Sequence, residues 1–323
     1  MQESFATYDM EIVNNTPNPF TSGRFQNITP SVFNRDYLQL LIDVAQFCHP
    51  IERKKSVRMF LRSLYSSSHS FEWFSYIANH AVLSKLVSLE PNLPEKLHRQ
   101  ILRTDYPIAK RLSILLGHYD HIEQFIRSDL LGKALLDDGL ELAMIELPEH
   151  KYWLKLVYGK YPAKEGELSI VMFDTEGNEL VRLSFSLLPL EDGHALYIGG
   201  LQGATGENAR EHVGEASKAC YGLAPRRIAM EVLFAIAKHT GAVKILGVPD
   251  KRHISSKKLS KHFNYDAYWL EFESSIDANG DYVLPLIPKH KDYADTPRKR
   301  RAKYRRQHEL LDMVSQACLA SLQ

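Results

Sequence analysis

The spacing of the apolar residues changes once along this chain, and that change constrains the fold more than any other feature. Between residues 36 and 138 apolar side chains recur three and four positions apart, which is the period of an amphipathic helix. After Pro148 the period falls to two, as in residues 180–187, where every second side chain is apolar. The sequence therefore predicts an α+β protein in which an N-terminal all-helical domain precedes a mostly antiparallel sheet.

The two patterns divide the chain of 323 residues into two cores, the number that this length favours. Prolines among polar residues favour an irregular N-terminal arm at 1–34. We expect the helical domain at 35–150, the α+β domain at 151–290 and a basic amphipathic C-terminal helix at 291–323.

Turn residues and helix signals place the elements of the α+β domain. We predict an antiparallel meander of strands at 168–173, 180–187 and 195–201, the second of them half-buried because polar side chains occupy one face. Pro225 opens a core helix that is apolar nearly all round, and Gly241 ends it. The remaining elements are a helix at 207–221, a strand at 243–248, a short basic helix at 255–262, and two closing strands at 267–272 and 282–286.

Composition excludes several classes of protein. No stretch approaches the roughly 20 consecutive apolar residues that span a bilayer, so integral membrane insertion is not expected. Cys48, Cys220 and Cys318 lie far apart, without the spacing of a disulfide framework or a structural zinc site. The N-terminus lacks the basic and apolar regions of a secretory signal, so we expect a cytoplasmic protein.

Gly199, Gly200 and Gln202 belong to the most unusual local string, at the end of a predicted strand. The string lacks the Gly-x-Gly-x-x-Gly order of a dinucleotide site and the lysine of a P-loop. Either the glycines permit a bulge or a close backbone approach, or their N–H groups and Gln202 face the acyl or amide group of a ligand.

The loop before Pro225 is the second candidate. Gly222 precedes the N-terminus of the core helix, where unsatisfied N–H groups and the helix dipole attract anions. Arg226 and Arg227 in the first turn would strengthen the attraction for a phosphate. The alternative is that both arginines are solvated surface residues.

Acid–base chemistry has three candidates. His253 follows a predicted strand end, where side chains of open sheets converge on ligands, and histidine is the usual acid–base group near neutral pH. Glu271 and Asp266 are the carboxylate candidates nearby. The alternative for His253 is a capping or surface role.

Positive charge is concentrated near the C-terminus, where residues 289–306 contain nine Lys/Arg and two Asp. The first turns of the last helix are the wrong end for cations, because the helix dipole opposes them. An anionic partner would offset that cost: a lipid surface such as the inner membrane or, as a weaker alternative, nucleic acid. Otherwise the cluster is a solvated face. Its members are Arg298, Lys299, Arg300, Arg301, Lys303, Arg305 and Arg306.

Several short strings occur together in one order along the chain. They include Glu165-Gly166-Glu167-Leu168, Gly199-Gly200-Leu201-Gln202-Gly203, Gly222-Leu223-Ala224-Pro225-Arg226, His253-Ile254 and Asn264-Tyr265-Asp266. On these strings the chain resembles the VirK/YbjX family of Gram-negative bacteria, also called DUF535. The resemblance implies a link to virulence, to the display of outer-surface proteins and to antimicrobial peptide resistance, without an established reaction.

The predicted strand order is also similar to that of GNAT-type acyltransferases. This similarity implies transfer of an acyl group from acyl-CoA or acyl carrier protein, with no tightly bound cofactor. In that hypothesis the loop before Pro225 holds the donor's phosphate, the glycine string with Gln202 orients the acyl amide, and His253 or Glu271 takes the proton of the acceptor. The alternative is a non-enzymatic module that binds a lipid or a protein and is anchored by its basic C-terminal helix.

Overall fold

The computed structural model of this protein describes residues 17–21, 23–159, 164–256, 263–288 and 297–323. The chain divides into two compact units, one of residues 1–100 and 106–116 and the other of residues 101–105 and 117–323. Most of the predicted basic helix at 255–262 lies outside the described residues.

The first unit is built from helices, as the three-and-four spacing predicts. Its first helix begins after Asn34, whose side-chain oxygen accepts hydrogen bonds from the backbone N–H groups of Asp36 and Tyr37. The bounds are α1 (Arg35–Cys48), α2 (Arg53–Tyr65), α3 (Ser67–Asn79), α4 (Leu83–Leu89), a 3-10 helix (Pro94–His98) and α5 (Ile108–Phe125), whose second half belongs to the second unit.

The second unit contains a single sheet whose strands lie in the order β1-β2-β3-β4-β5-β6-β8-β7. Among the described strands only β5 and β6 pair in parallel, so the predicted α+β class and mostly antiparallel sheet are confirmed. The strands are β1 (Leu140–Glu146), β2 (Lys151–Tyr158), β3 (Leu168–Phe173), β4 (Glu179–Leu190), β5 (Gly193–Gly203), β6 (Lys244–Gly247), β7 (Ser275–Ile276) and β8 (Tyr282–Leu284). The helices are α6 (Ser128–Leu136), α7 (Ala209–Ala219), α8 (Pro225–Thr240), α9 (Tyr265–Leu270) and α10 (Arg298–Ser321).

The predicted meander is formed by β3, β4 and β5. Asp174 fixes the first turn, because its Oδ1 accepts hydrogen bonds from the N–H groups of Glu176 and Asn178. Gly177 supplies the positive φ, 82°, that the turn needs. The polar face of β4 is not solvated as predicted: Ser184 and Ser186 are each 1% exposed. Hydrogen bonds to their hydroxyls make this burial tolerable.

Two strands precede the meander and were not predicted. β1 lies inside the stretch that was assigned to the helical domain. The N-terminal series of helices therefore ends at Leu136 rather than near residue 150. A bulge between Glu141 and Ala143 interrupts the alternation of β1, which hides the strand in the sequence. β2 alternates without interruption, with buried Leu154 and Leu156 on one face, so its signal was present.

The predicted strand at 267–272 is wrong, because residues Tyr265–Leu270 form α9. The side-chain oxygen of Asn264 caps this helix by accepting a hydrogen bond of 2.7 Å from the N–H of Ala267. A helix of less than two turns is too short to show a period, and its aromatic residues favour strands on average.

The predicted core helix is α8. Pro225 opens it, and Gly241 ends it in the left-handed conformation with φ of 65°. The later part of α10 packs on α8 and β1, burying Leu310, Leu311 and Val314.

Candidate functional site

Two central strands separate at Gly199. β5 and β6 pair from Ala195 with Lys244 to Ile198 with Gly247, where β6 ends. β5 continues to Gly203, where it still pairs with β4 on its other side. The backbone of residues 199–203 is therefore no longer covered by β6, and other groups of the chain fill that place.

Glu165 lies against this edge and is 3% exposed. A Cβ atom at Gly199 would collide with the carbonyl oxygen of Glu165, and one at Gly200 would collide with its carboxylate. Glycine is therefore required at both positions, because the backbone of β5 and Glu165 approach so closely. The close approach considered in the sequence analysis is present.

Burial controls the ionisation of Glu165. Removal of this carboxyl group from water raises its pKa from 4.5 to about 7. A hydrogen bond of 3.1 Å from Gln202 Nε2 to Glu165 Oε2 opposes the rise by favouring the ionised form. Gln202 is itself half-buried, so the Glu165 carboxyl group lies beside a side chain that is partly open to solvent. Glu165 therefore exchanges a proton near neutral pH, as general acid–base catalysis requires.

His253 faces the other carboxyl oxygen. Its Nε2 lies 3.4 Å from Glu165 Oε1, and the imidazole is buried. The N–H of Ser255 donates to His253 Nδ1 over 3.0 Å, which places the ring proton on Nε2. Burial lowers the pKa of His253 to about 4, so the ring is neutral at neutral pH. The two groups are a neutral imidazole beside a titrating carboxyl group, and the short separation does not make them an ion pair.

Tyr265 completes this group. Its ring stacks on His253 with 4.7 Å between the centroids, and its hydroxyl accepts a hydrogen bond of 2.8 Å from the N–H of Leu201. One backbone N–H of the glycine string is therefore already bonded within the protein. We call Glu165, Gln202, His253 and Tyr265 the Glu165 cluster.

Four predicted residues come together here: Gly199, Gly200 and Gln202 on β5, and His253 after β6. The sequence analysis missed Glu165 as a functional residue. A signal was available, since Glu165 opens one of the strings that carry the family resemblance, and the other strings supply the rest of the cluster.

The other predicted residues lie at the N-terminus of α8. Arg227 and Glu271 line one cleft of about 260 Å³, whose apolar wall includes Leu223 and Phe272. Arg226 does not line this cleft, because its guanidinium lies over the ring of Tyr268, 5.2 Å from the centroid. We call this hollow the α8 cleft.

Helix α10 adds basic side chains near the same place. Lys303 packs against Gly222, which has φ of 85°, and His308 lines the α8 cleft. Arg306 lies over the ring of Tyr221, 5.6 Å from its centroid. Together with the N-terminal dipole of α8, these groups favour an anion, whereas the carboxylates of Glu271 and Glu273 on the same lining oppose it.

Helix α9 connects the Glu165 cluster to the α8 cleft. Tyr265 at its start belongs to the cluster, and the Tyr268 hydroxyl lies 3.5 Å from the carbonyl oxygen of Arg226. One helical turn, about 5 Å along the axis, separates the two tyrosines. His253 and Glu271 thus occupy different places: His253 is buried in the cluster, whereas Glu271 is exposed at the cleft.

The basic residues at the start of α10 are all exposed. Arg305 also approaches Glu309, with 3.7 Å between Nε and Oε1. Across the described ranges, no helix is both long and apolar enough to cross a bilayer.

Comparison with known proteins gives a family and several relatives. The family described as "Protein of unknown function (DUF535)" matches residues 49–320. The chain is 31% identical to "Uncharacterized protein YbjX" of Escherichia coli K12 over 264 residues, 80% of each chain. It is 32% identical to an "Uncharacterized protein" of Haemophilus influenzae over 46% of this chain and 50% of that one. It is also 25% identical to "Membrane protein LapB" of Mannheimia haemolytica over 64% of this chain and 90% of that one.

Proposed function

This chain belongs to the DUF535 family, and we propose that it is an acyltransferase that takes an acyl group from acyl-CoA or acyl carrier protein. The family name assigns no reaction, so the proposal rests on the geometry of this chain. The acceptor is a hydroxyl or amino group of the bacterial envelope, which is where the membrane-protein relative from Mannheimia haemolytica directs attention.

One observation carries the proposal: one turn of α9 contacts both a carboxyl group poised near neutrality and a basic helix N-terminus. Tyr265 stacks on His253 beside Glu165, and Tyr268 lies under the guanidinium of Arg226. Glu165, with its pKa near 7, supplies proton transfer. The α8 cleft, with Arg227, supplies phosphate binding. An acyl donor that ends in a phosphate-bearing carrier needs both functions at a short separation.

The reaction balances with these groups alone. The acceptor's oxygen or nitrogen attacks the thioester carbonyl carbon, and its proton passes to the carboxylate of Glu165. The carbon–sulfur bond then breaks, and the departing sulfur takes the proton back from Glu165 to leave as a thiol. The neutral His253 places its Nε2 3.4 Å from Glu165 Oε1 and packs beside the carboxyl group, so it is a positioning residue in this scheme.

The phosphate role of Arg227 predicts weaker donor binding in Arg227→Gln. Loss of one charge-assisted contact should raise the Kd of acetyl-CoA roughly 10-fold in calorimetry. Lys238→Gln is the matched control, because it removes one exposed cation from the opposite end of α8. Acetyl-pantetheine, which lacks the phosphates, should bind equally weakly to wild type and Arg227→Gln. Absence of heat at millimolar acetyl-CoA would remove the transferase proposal.

A second function, binding to an anionic membrane surface, is favoured by the exposed cations of α10. Such residues contribute about 1 kcal/mol each near anionic lipid. Membrane binding is compatible with acyl transfer. If the protein binds membranes but turns over no acyl donor, it is the non-enzymatic lipid-binding module named above as the alternative.

Membrane binding is tested by flotation with vesicles that contain phosphatidylglycerol. Replacing Arg298, Lys299 and Arg300 with glutamine should weaken the partition roughly 100-fold. The control replaces three exposed cations elsewhere, Lys85, Arg127 and Lys133, and should leave the partition unchanged. Equal loss in both triple variants would show a non-specific charge effect. Salt-dependent binding of a DNA duplex, with none to vesicles, would assign the cluster to nucleic acid instead.

A further inference from the structure

Helix α2 of the first unit leaves half of its apolar side chains exposed. It buries only Met59 and Ser63. Val57, Leu61 and Tyr65 are 50%, 56% and 95% exposed. Because these three residues are spaced four apart, they form one row along the helix. A row of this kind needs an apolar partner to be favourable.

A groove of about 540 Å³ runs beside this row. Ile108 of α5 adds to its apolar wall, and Ser66 lies at the end of α2. The volume falls within the roughly 300–1,000 Å³ of small-ligand pockets, so the groove is large enough for a flexible chain. We call it the α2 groove.

Every ionisable side chain that lines the α2 groove, apart from Tyr65, is basic. These side chains are Lys54, Arg58, Arg62, His98 and Arg111. In the part of the chain that the structure describes, neither Lys54 nor Arg58 forms an ion pair, and no carboxylate lines the groove. Glu95, outside the groove lining, lies 3.7 Å from Arg62 but also contacts Arg99 and His49.

Arg62 and Arg111 are close enough that the positive charge of one opposes the positive charge of the other. Burial and the neighbouring Arg62 lower the pKa of Arg111. Burial, Arg62 and Arg111 together lower the pKa of His98 to about 4, so the imidazole remains neutral. The Nε atom of Arg111 is buried and lacks a hydrogen-bond acceptor in the described residues. An anion between Arg62 and Arg111 would relieve the repulsion and satisfy that donor.

We propose that the α2 groove binds an anionic single-chain amphiphile, a lysophospholipid. Its acyl chain lies along Val57, Leu61 and Tyr65, and its phosphate is held by Arg62 and Arg111 with Arg58 at the rim. Because Arg62 and Arg111 line the same groove and the buried Nε of Arg111 has no acceptor in the described residues, they fit a single compact phosphate better than the dispersed carboxylates of a peptide. This site is independent of the proposed acyl transfer and uses none of its residues.

The test titrates the full chain with lysophosphatidic acid below its critical micelle concentration, read by calorimetry. We expect saturable binding, with lysophosphatidylcholine at least roughly 10-fold weaker because its head carries a compensating cation. Inorganic phosphate alone should bind far more weakly, since it cannot bury the apolar row. Equal binding of both lysolipids would overturn the charge argument.

Two variants and two matched controls locate the site. Leu61→Asp and Arg58→Gln should each weaken lysophosphatidic acid binding roughly 10-fold or more. Leu89→Asp on α4, where Leu89 is 61% exposed, and Arg53→Gln at the start of α2 make the same chemical changes outside the groove and should bind normally. All four positions are exposed, so the fold should persist, as circular dichroism would check. Unchanged binding in Leu61→Asp, or binding of an acidic amphipathic peptide in place of the lysolipid, would refute the proposal.

Discussion

Replacing Glu165 with glutamine is expected to remove acyl transfer and to stabilise the fold at alkaline pH. Glutamine keeps the shape of the side chain but cannot take the acceptor's proton, so turnover should fall by about 10³-fold. Turnover is measured as thiol released from acyl-CoA in the presence of membrane extract.

The stability effect follows from the direction of the pKa shift. Burial raises the pKa of Glu165 from 4.5 to about 7, so between these pH values the native state binds more protons than the unfolded state. The free energy of unfolding therefore falls as the pH rises through this window. With the side chain only 3% exposed, the cost at pH 8 is about 3 kcal/mol. Glu165→Gln should gain that amount relative to wild type between pH 4.5 and 8.

The comparison must be made between variant and wild type, because His253 has the opposite effect. Burial lowers the pKa of His253 to about 4, so its unfolded form binds more protons between pH 4 and 6.5. The contribution of His253 to the free energy of unfolding therefore falls as the pH falls. In the wild-type protein this change masks the opposite pH dependence of the Glu165 contribution. Urea unfolding of both proteins at pH 4.5 and pH 8 separates them.

Glu231→Gln is the matched control. Glu231 is 5% exposed on α8 and lies outside the Glu165 cluster. Burial raises its pKa to about 7 as well, against the opposing charge of Arg227, so turnover is compared at saturating acyl-CoA. This variant should show the same pH-dependent gain in stability while it keeps wild-type turnover. Wild-type turnover in Glu165→Gln would refute the acid–base role of Glu165. A relative stability independent of pH would show that the carboxyl group of Glu165 is not perturbed, and this readout needs no substrate.

The elements predicted correctly are those whose signal is local. β3 and β4 alternate and are joined by turn residues, and α8 is bounded by Pro225 and Gly241. The errors arise where neighbours decide the outcome. In the sequence Ser184 resembles a solvent-facing residue, but in the fold its hydroxyl lies 2.9 Å from the hydroxyl of Ser169 on the neighbouring strand. Helix α9 depends on a single N-terminal cap, the side chain of Asn264.

The site was only partly predictable for the same reason. Gln202 and His253 were selected because each stands at a strand end, which is a property of the local sequence. The role of Glu165 depends on its pKa, and that depends on burial against β5 and beside His253, which three separate segments create. No local pattern encodes such burial, although the family strings marked the segments that meet.

The second large expected effect concerns the glycines of β5, at residues 199–203. Gly199→Ala should lower the free energy of unfolding by about 3 kcal/mol and remove turnover. The new Cβ would meet the backbone carbonyl of Glu165 and lie 2.9 Å from Leu102 Cδ2. Backbone atoms cannot rotate away, so the strand and Glu165 must move apart. Urea denaturation at neutral pH measures the loss.

Gly203→Ala is the control for the loss of glycine itself. It lies on the same strand, and nothing stands within 4 Å of its added Cβ. That variant should therefore be neutral or slightly stabilised, by at most about 1 kcal/mol. Destabilisation of both variants to the same extent would mean that strand flexibility, rather than the approach of Glu165, requires these glycines.

A double substitution distinguishes backbone from side-chain collisions. Gly200→Ala meets mainly the carboxyl group of Glu165, whereas Gly199→Ala meets its carbonyl oxygen. Glu165→Ala should therefore relieve much of the cost of Gly200→Ala and none of the cost of Gly199→Ala, a coupling that a double-mutant cycle measures directly. Equal rescue of both glycine variants would contradict the position of Glu165 on which the proton-transfer role depends.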